Sequence, residues 1–178
     1  MKSVYLKPAE YYFGDQPARI TTVLGSCVAL SLYYPRSGLA AMCHALASDC
    51  GNATSCQKKC ANRYRYVSCM IPAMIHSFYS RGIKPEDIEA KLFGGAAMLD
   101  ADSSRISRGV GALNVKAVQE ILRKNNLKIK ASDIGGRFGR KIIFDTRTGE
   151  VLLKRLHPAN WRSQAVTNRC DNHILVNR

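Results

Sequence analysis

Ile20-Thr21-Thr22-Val23-Leu24-Gly25-Ser26-Cys27-Val28-Ala29-Leu30-Ser31-Leu32-Tyr33-Tyr34 is the stretch whose reading decides the fold. Ile20 to Leu24 is rich in β-branched residues and reads as a strand. Gly25 and Ser26 interrupt it, and Val28 to Tyr34 alternates larger apolar groups with Ala and Ser at period two, as a second strand. Pro35 to Gly38 makes a turn. Leu39 to Leu46 returns as a third strand, on which Met42, His44 and Leu46 share one face, opposite Ala41, Cys43 and Ala45. Pairing the last two strands as a hairpin brings Cys27 and His44 towards the same end.

Outward from this stretch, residues 1 to 19 carry Pro8, Gly14 and Pro17 and predict a short edge strand and a loop. Residues 47 to 62, small and polar with three cysteines, predict an exposed loop. Met70, Ile71, Met74, Ile75 and Phe78 recur at helical spacing within Ser68 to Ser80, with Pro72 near the first turn and Gly82 suited to the C-terminal cap. Ala90 to Phe93 reads as a strand running into Gly94-Gly95, and Asp100 to Val110 as irregular. Asn114 is placed to cap a helix with Val115, Val118, Ile121 and Leu122 on one face. Leu127 to Ala131 alternates as a strand. Lys141 to Phe144 and Glu150 to Leu156 predict a hairpin around Asp145 to Gly149. The tail from His157 to Arg178 loses periodicity. Strands and helices mix without a βαβ rhythm, so the class is α+β, and 178 residues suit a single domain.

Composition narrows the classes. Hydrophobic residues make up 46% and charged residues 22%, with a mean hydropathy of -0.18, which fits neither a disordered chain nor a membrane protein. Nothing near the N-terminus reads as a signal peptide, and seven cysteines, an odd number, fit a reducing compartment, so a cytoplasmic location is expected. The 27 Lys and Arg against 13 Asp and Glu give +14, a charge that attracts acidic partners without choosing among them.

A cysteine after Gly-Ser, with a histidine seventeen positions later, has the form of a thiol nucleophile and its base. A free thiol with a pKa of about 8.5 is mostly protonated at neutral pH, and an imidazole within reach removes that handicap. Gly25 permits tight backbone geometry, so that it and Ser26 form the substrate-binding edge where N–H groups can face an oxyanion. A hydroxyl from Thr21 or Thr22 would orient the imidazole. Residues alone leave a plainer alternative open, in which Cys27 is a small buried residue and His44 a satisfied core histidine.

Further motifs follow in order: Lys91-Leu92-Phe93-Gly94-Gly95-Ala96 with Met98, Val110-Gly111 and Asn114, Asp133-Ile134-Gly135-Gly136 with Gly139-Arg140, and Thr148-Gly149-Glu150-Val151. Together with the Leu24-Gly25-Ser26-Cys27 stretch and His44, this series resembles the CheD family, the chemoreceptor glutamine deamidases, over residues 15 to 156. The resemblance implies hydrolysis of receptor glutamine side-chain amides to glutamate and ammonia, with no cofactor and no metal. By position it assigns the nucleophile to Cys27, the base to His44 and the supporting threonine to Thr21. It also implies a sandwich-like α+β fold of mixed sheets and flanking helices, related to bacterial toxin deamidases. Residues 1–156 would form the deamidase domain and 157–178 a flexible basic tail. The implied partners are chemoreceptor cytoplasmic helices and, in some species, a CheC-like phosphatase. An adaptor of the same fold without catalysis is the alternative.

The segment from Cys50 to Cys60 departs from the family pattern, as does Ser68, where an aspartate is common after Tyr66-Val67. Cys43, Cys50, Cys56 and Cys60 are separated by six, five and three residues, without the CxxC knuckle that zinc favours. Cys43 should face away from His44. Gly135-Gly136 with Gly139 lacks the ending of a phosphate loop and reads as turn chemistry. Gly94-Gly95 should serve close backbone packing, and His76 should be a partly buried structural residue. Arg63, Tyr64, Arg65 and Tyr66 are thin grounds for a nucleic-acid module, and no nucleic-acid partner is expected.

Overall fold

The computed structural model describes residues 1–51, 63–97 and 109–156 and the short strand Ile174–Leu175. Two mixed five-stranded sheets and two helices stack in layers. The first sheet runs in the order β1 (Lys2–Tyr5), β3 (Ala18–Leu24), β8 (Gly139–Asp145), β9 (Val151–Leu156) and β10 (Ile174–Leu175). The second runs β2 (Tyr11–Gly14), β5 (Leu39–Cys43), β4 (Val28–Tyr34), β6 (Glu89–Gly94) and β7 (Ile129–Ile134).

Side-chain parity explains the layering. Strand β4 is the central strand of the second sheet, and both its faces are covered. Val28, Leu30 and Leu32, with Leu39, Ala41 and Cys43 of β5, turn to the helices α1 (Val67–Tyr79) and α2 (Val110–Lys124). The alternate residues Ala29, Tyr33, Ala40 and Met42 turn to the first sheet, where they meet Ala18, Ile20, Leu24, Ile142, Phe144, Val151 and Leu153. Each large side chain fully buried in either core contributes about 1.5–3 kcal/mol. Met70, Ile71, Met74, Ile75 and Phe78 of α1 are all buried, as their spacing predicts.

Four expectations need correction. Asn114 does not cap α2: the cap position is Gly109, and Asn114 lies inside the helix, fully buried. Strand β6, α2 and β7 form one parallel crossover unit, where no βαβ unit was expected. The tail is not wholly without regular structure, since Ile174 and Leu175 pair antiparallel with Leu153 and Leu152. His76 is exposed, because a residue two positions after Met74 on a helix leaves the buried stripe. Most of the cysteine-bearing loop, Asp100 to Arg108 and the other tail residues, with Cys56, Cys60, His157 and His173, lie outside the described residues.

Candidate active site

The β4–β5 ladder brings Cys27 and His44 to the same end of the second sheet. Ser31 pairs with Met42, and the same register continues to a two-bond bridge between Val28 and Ala45 at 3.0 and 2.9 Å. Cys27 therefore falls opposite Leu46, with His44 its diagonal neighbour, about 7–8 Å away between Cα atoms in such a ladder and within reach of side chains. Parity sets His44 on the inter-sheet face with Met42, and Cys27 packs against that same inter-sheet core. Cys43, one residue earlier, faces the helices, fully buried, and burial pushes its thiol up to about 12. It cannot serve as the nucleophile.

The imidazole is held by Thr22, not by Thr21. Thr22 lies on the buried face of β3 with Ile20 and Leu24, and its Oγ1 stands 2.7 Å from His44 Nδ1. Thr21 sits on the other face of the strand, half-buried, between Ile143 and Tyr5 in the sheet. A one-residue step along a strand reverses the side chain, which is why the position assigned by resemblance does not make the contact. Thr22 Oγ1 also donates to Leu6 O at 2.8 Å, which uses its single proton. His44 Nδ1 must then be the donor to Thr22, and Nε2 keeps its lone pair. This is the tautomer a base needs.

Burial acts on both reacting groups. It lowers the pKa of His44, with the Leu6 carbonyl and Glu10 pulling weakly the other way. It raises that of the Cys27 thiol. Both directions favour the neutral thiol and neutral imidazole at rest over a standing ion pair.

The loop that carries the nucleophile is fixed by main chain. Gly25 O accepts from Ala96 N–H at 2.9 Å and Cys27 O from Gly95 N–H at 2.8 Å. Gly94 has φ +108°, and a Cβ there would fall 2.2 Å from Cys27 O. Gly95 and Gly111 are packed equally closely, a Cβ on Gly111 falling 2.4 Å from Gly95 O. The Gly94-Gly95 pair thus serves close packing, as expected. Asn114 reaches the loop from α2, its Nδ2 donating to Ser26 O at 3.1 Å and Leu46 O at 2.9 Å. Nearby, buried Arg140 opposite Leu24 bonds Asp133 at 2.6 Å and Gly135 O at 2.8 Å, joining the two sheets at this end. Sequence reading left Thr22 open beside Thr21, the parity of Ile20, Thr22 and Leu24 carrying the signal for it, and did not assign these roles to Asn114 and Arg140. Gly25, Ser26 and Cys27 are all half-buried, the exposure a substrate edge needs. Among the described residues, no three His, Cys, Asp or Glu side chains converge as metal ligands would.

Comparison with known proteins identifies the family. Residues 46–155 match the family described as CheD chemotactic sensory transduction. A protein of Geobacter sulfurreducens named probable chemoreceptor glutamine deamidase CheD 2 is 46% identical over 154 residues, covering 86% of this chain and 90% of its own length. A probable chemoreceptor glutamine deamidase CheD of Maridesulfovibrio salexigens is 35% identical over 158 residues, 88% of this chain and 93% of its own. Its namesake in Thiobacillus denitrificans is 35% identical over 174 residues, 95% of this chain and 84% of its own, an extent that includes positions 27 and 44. With a family match over more than half its length and relatives this similar, the chain belongs to the CheD family.

Proposed function

We propose that this protein hydrolyses glutamine side-chain amides in the cytoplasmic helices of chemoreceptors, giving glutamate and ammonia through a thioester on Cys27. The observation that carries this reading is the 2.7 Å contact between Thr22 Oγ1 and His44 Nδ1, which leaves Nε2 unprotonated on the face shared with Cys27. Nε2 takes the thiol proton as sulfur attacks the amide carbon. The C–N bond then breaks, the imidazolium gives its proton to nitrogen, and ammonia departs from the thioester. Water, losing a proton to His44, attacks the thioester; the C–S bond breaks, glutamate leaves, and the proton returns to sulfur. Because both groups rest neutral, the thiolate forms mainly as substrate arrives.

The finer reading keeps residues 1–156 as the catalytic unit, of the same architecture as bacterial toxin deamidases, and 157–178 as an accessory tail. It places the protein in the cytoplasm, where receptor helices are reached, with a CheC-like phosphatase as a regulatory partner. The charge of +14 favours encounter with an acidic receptor surface. The chain is tested by incubation with receptor cytoplasmic fragments, measuring ammonia and locating Gln-to-Glu conversion by mass spectrometry. Conversion by the wild type, abolished in Cys27→Ala and His44→Ala, is expected. Receptor binding without conversion would make the protein an adaptor, and conversion that survives Cys27→Ala would overturn the thioester route.

A further inference from the structure

Attack on an amide carbon places a negative charge on its oxygen, and on the deamidase reading that charge needs a donor aimed at it before the reaction starts. Three consecutive carbonyls of the nucleophile loop are already committed: Gly25 O to Ala96 N–H, Ser26 O to Asn114 Nδ2, and Cys27 O to Gly95 N–H. Every described peptide bond is trans, so each N–H points opposite to the carbonyl of its own peptide unit. Asn114 belongs to α2, which covers the helix-side face of the second sheet. A Ser26 carbonyl turned towards Asn114 sends the Cys27 N–H to the other face, the one that holds the thiol and His44.

We propose that the Cys27 backbone N–H is an oxyanion donor and that Asn114 is the positioning residue that aims it. The inference rests on the deamidase reading and adds to it a residue outside the Cys27, His44 and Thr22 set. Asn114 is fully buried, both Nδ2 hydrogens are used, and its Oδ1 has no hydrogen-bond partner. Its orientation is unambiguous, because reversing the amide would set oxygen against two carbonyl oxygens. An apolar residue at this helix position would leave the Ser26 and Leu46 carbonyls without their donor, so the amide is there for those two carbonyls and not for packing alone. The two carbonyls it grips belong to the segment before Cys27 and the segment after His44. One side chain thus sets the peptide plane of the nucleophile and the spacing of nucleophile to base.

Two reactions at the same sulfur separate this role from general support. Hydrolysis of an amide develops an oxyanion, whereas alkylation of Cys27 by iodoacetamide, a displacement at saturated carbon, does not. In Asn114→Ala, kcat on receptor fragments should fall about 10²–10³-fold with KM little changed, while the alkylation rate of Cys27 stays at the wild-type value. Wild-type turnover by a folded Asn114→Ala, or an equal fall in both rates, would overturn the proposal. Should that variant not fold by circular dichroism, the wild type supplies the answer. A short peptide bearing a γ-semialdehyde in place of glutamine adds the thiol as a hemithioacetal, and the Cys27 amide proton should then move downfield in its NMR spectrum. A hemithioacetal that leaves this resonance in place overturns the assignment. A wild-type chain that deamidates nothing sinks the parent reading instead, whereas equal turnover by wild type and Asn114→Ala sinks only the role of Asn114.

Discussion

Replacing Thr22 by valine keeps the shape of a β-branched side chain in β3 and removes only the hydroxyl that stands between Leu6 O and His44 Nδ1. Thr22 is fully buried and His44 nearly so, so water cannot easily replace the lost bonds. A buried polar group left unsatisfied costs about 1–3 kcal/mol, which for a chain of this length lowers Tm by about 2–12 °C. The effect on rate should be larger than the effect on stability. Without the Thr22 hydroxyl the Nδ1 proton keeps only the nearby Leu6 carbonyl and moves more readily to Nε2, and in that tautomer nothing accepts the thiol proton. Loss of an organised base is worth roughly 10²–10⁴-fold, so kcat for ammonia release from receptor fragments should fall within that range. Thr21→Val is the matched control, one residue away on the opposite face, with a stability change within about 0.5 kcal/mol and near-normal turnover. The two variants are compared by thermal unfolding and by ammonia release under single-turnover conditions. An active Thr22→Val beside an inactive Thr21→Val would refute the face assignment and the tautomer argument with it.

Other perturbations act on separate parts of the molecule. Since burial lowers the pKa of His44, kcat/KM should climb with pH to its plateau with a midpoint below 6.5, the reverse of the fall expected if imidazolium were the active form; a rate profile from pH 5 to 8 decides this. The same shift links to stability. The unfolded chain binds the proton more readily, so His44's contribution is intact above pH 6.5 and declines as pH falls towards the folded pKa, and urea unfolding of wild type and His44→Asn at pH 5.5 and 7.5 should show the difference narrowing at low pH. Gly94→Ala, with its new Cβ 2.2 Å from Cys27 O and φ at +108°, should lose activity and at least about 1–3 kcal/mol of stability, measured by denaturant titration. Phe78→Ala should cost about 3–5 kcal/mol yet leave the specific activity of the folded fraction unchanged, because it opens the helix-side core and not the inter-sheet face. Brief alkylation at pH 7.5 followed by peptide mapping should find Cys27 labelled and Cys43 spared.

Much of this architecture is legible in the sequence, for reasons that differ from place to place. Val28 to Tyr34 and Leu39 to Cys43 announce themselves because a central strand must satisfy two faces, and their alternation of large and small residues records both. Helix α1 is equally plain, since five apolar residues fall on one stripe. Asn114 misled because an asparagine before an apolar run is normally a cap, and only the fold shows two carbonyls from distant segments waiting for its amide. Ile174 and Leu175 could not be read as a strand, because a two-residue pairing depends on the neighbour β9 and not on local propensity. At the site, Cys27 and His44 were visible as residue types. Their sharing of a face is a matter of register, and the choice between Thr21 and Thr22 is a matter of which sheet lies on which side.

Gly94 meets Cys27 and Val28, and Gly111 meets Gly95 and Ala96, through backbone atoms. A loop that leaned on leucines or methionines would inherit their rotamer hopping and shift with every change of core volume. This one leans on peptide planes and on the buried amide of Asn114, whose positions are set by sheet and helix geometry. Substitutions elsewhere in the two cores can therefore drift, trading volume among neighbours, while the sulfur keeps its place. The same arrangement makes the three glycine positions brittle, since the smallest added side chain is already too large. Robustness of the reacting atom to change in the core and intolerance of change at the ledge beneath it are two aspects of one backbone contact.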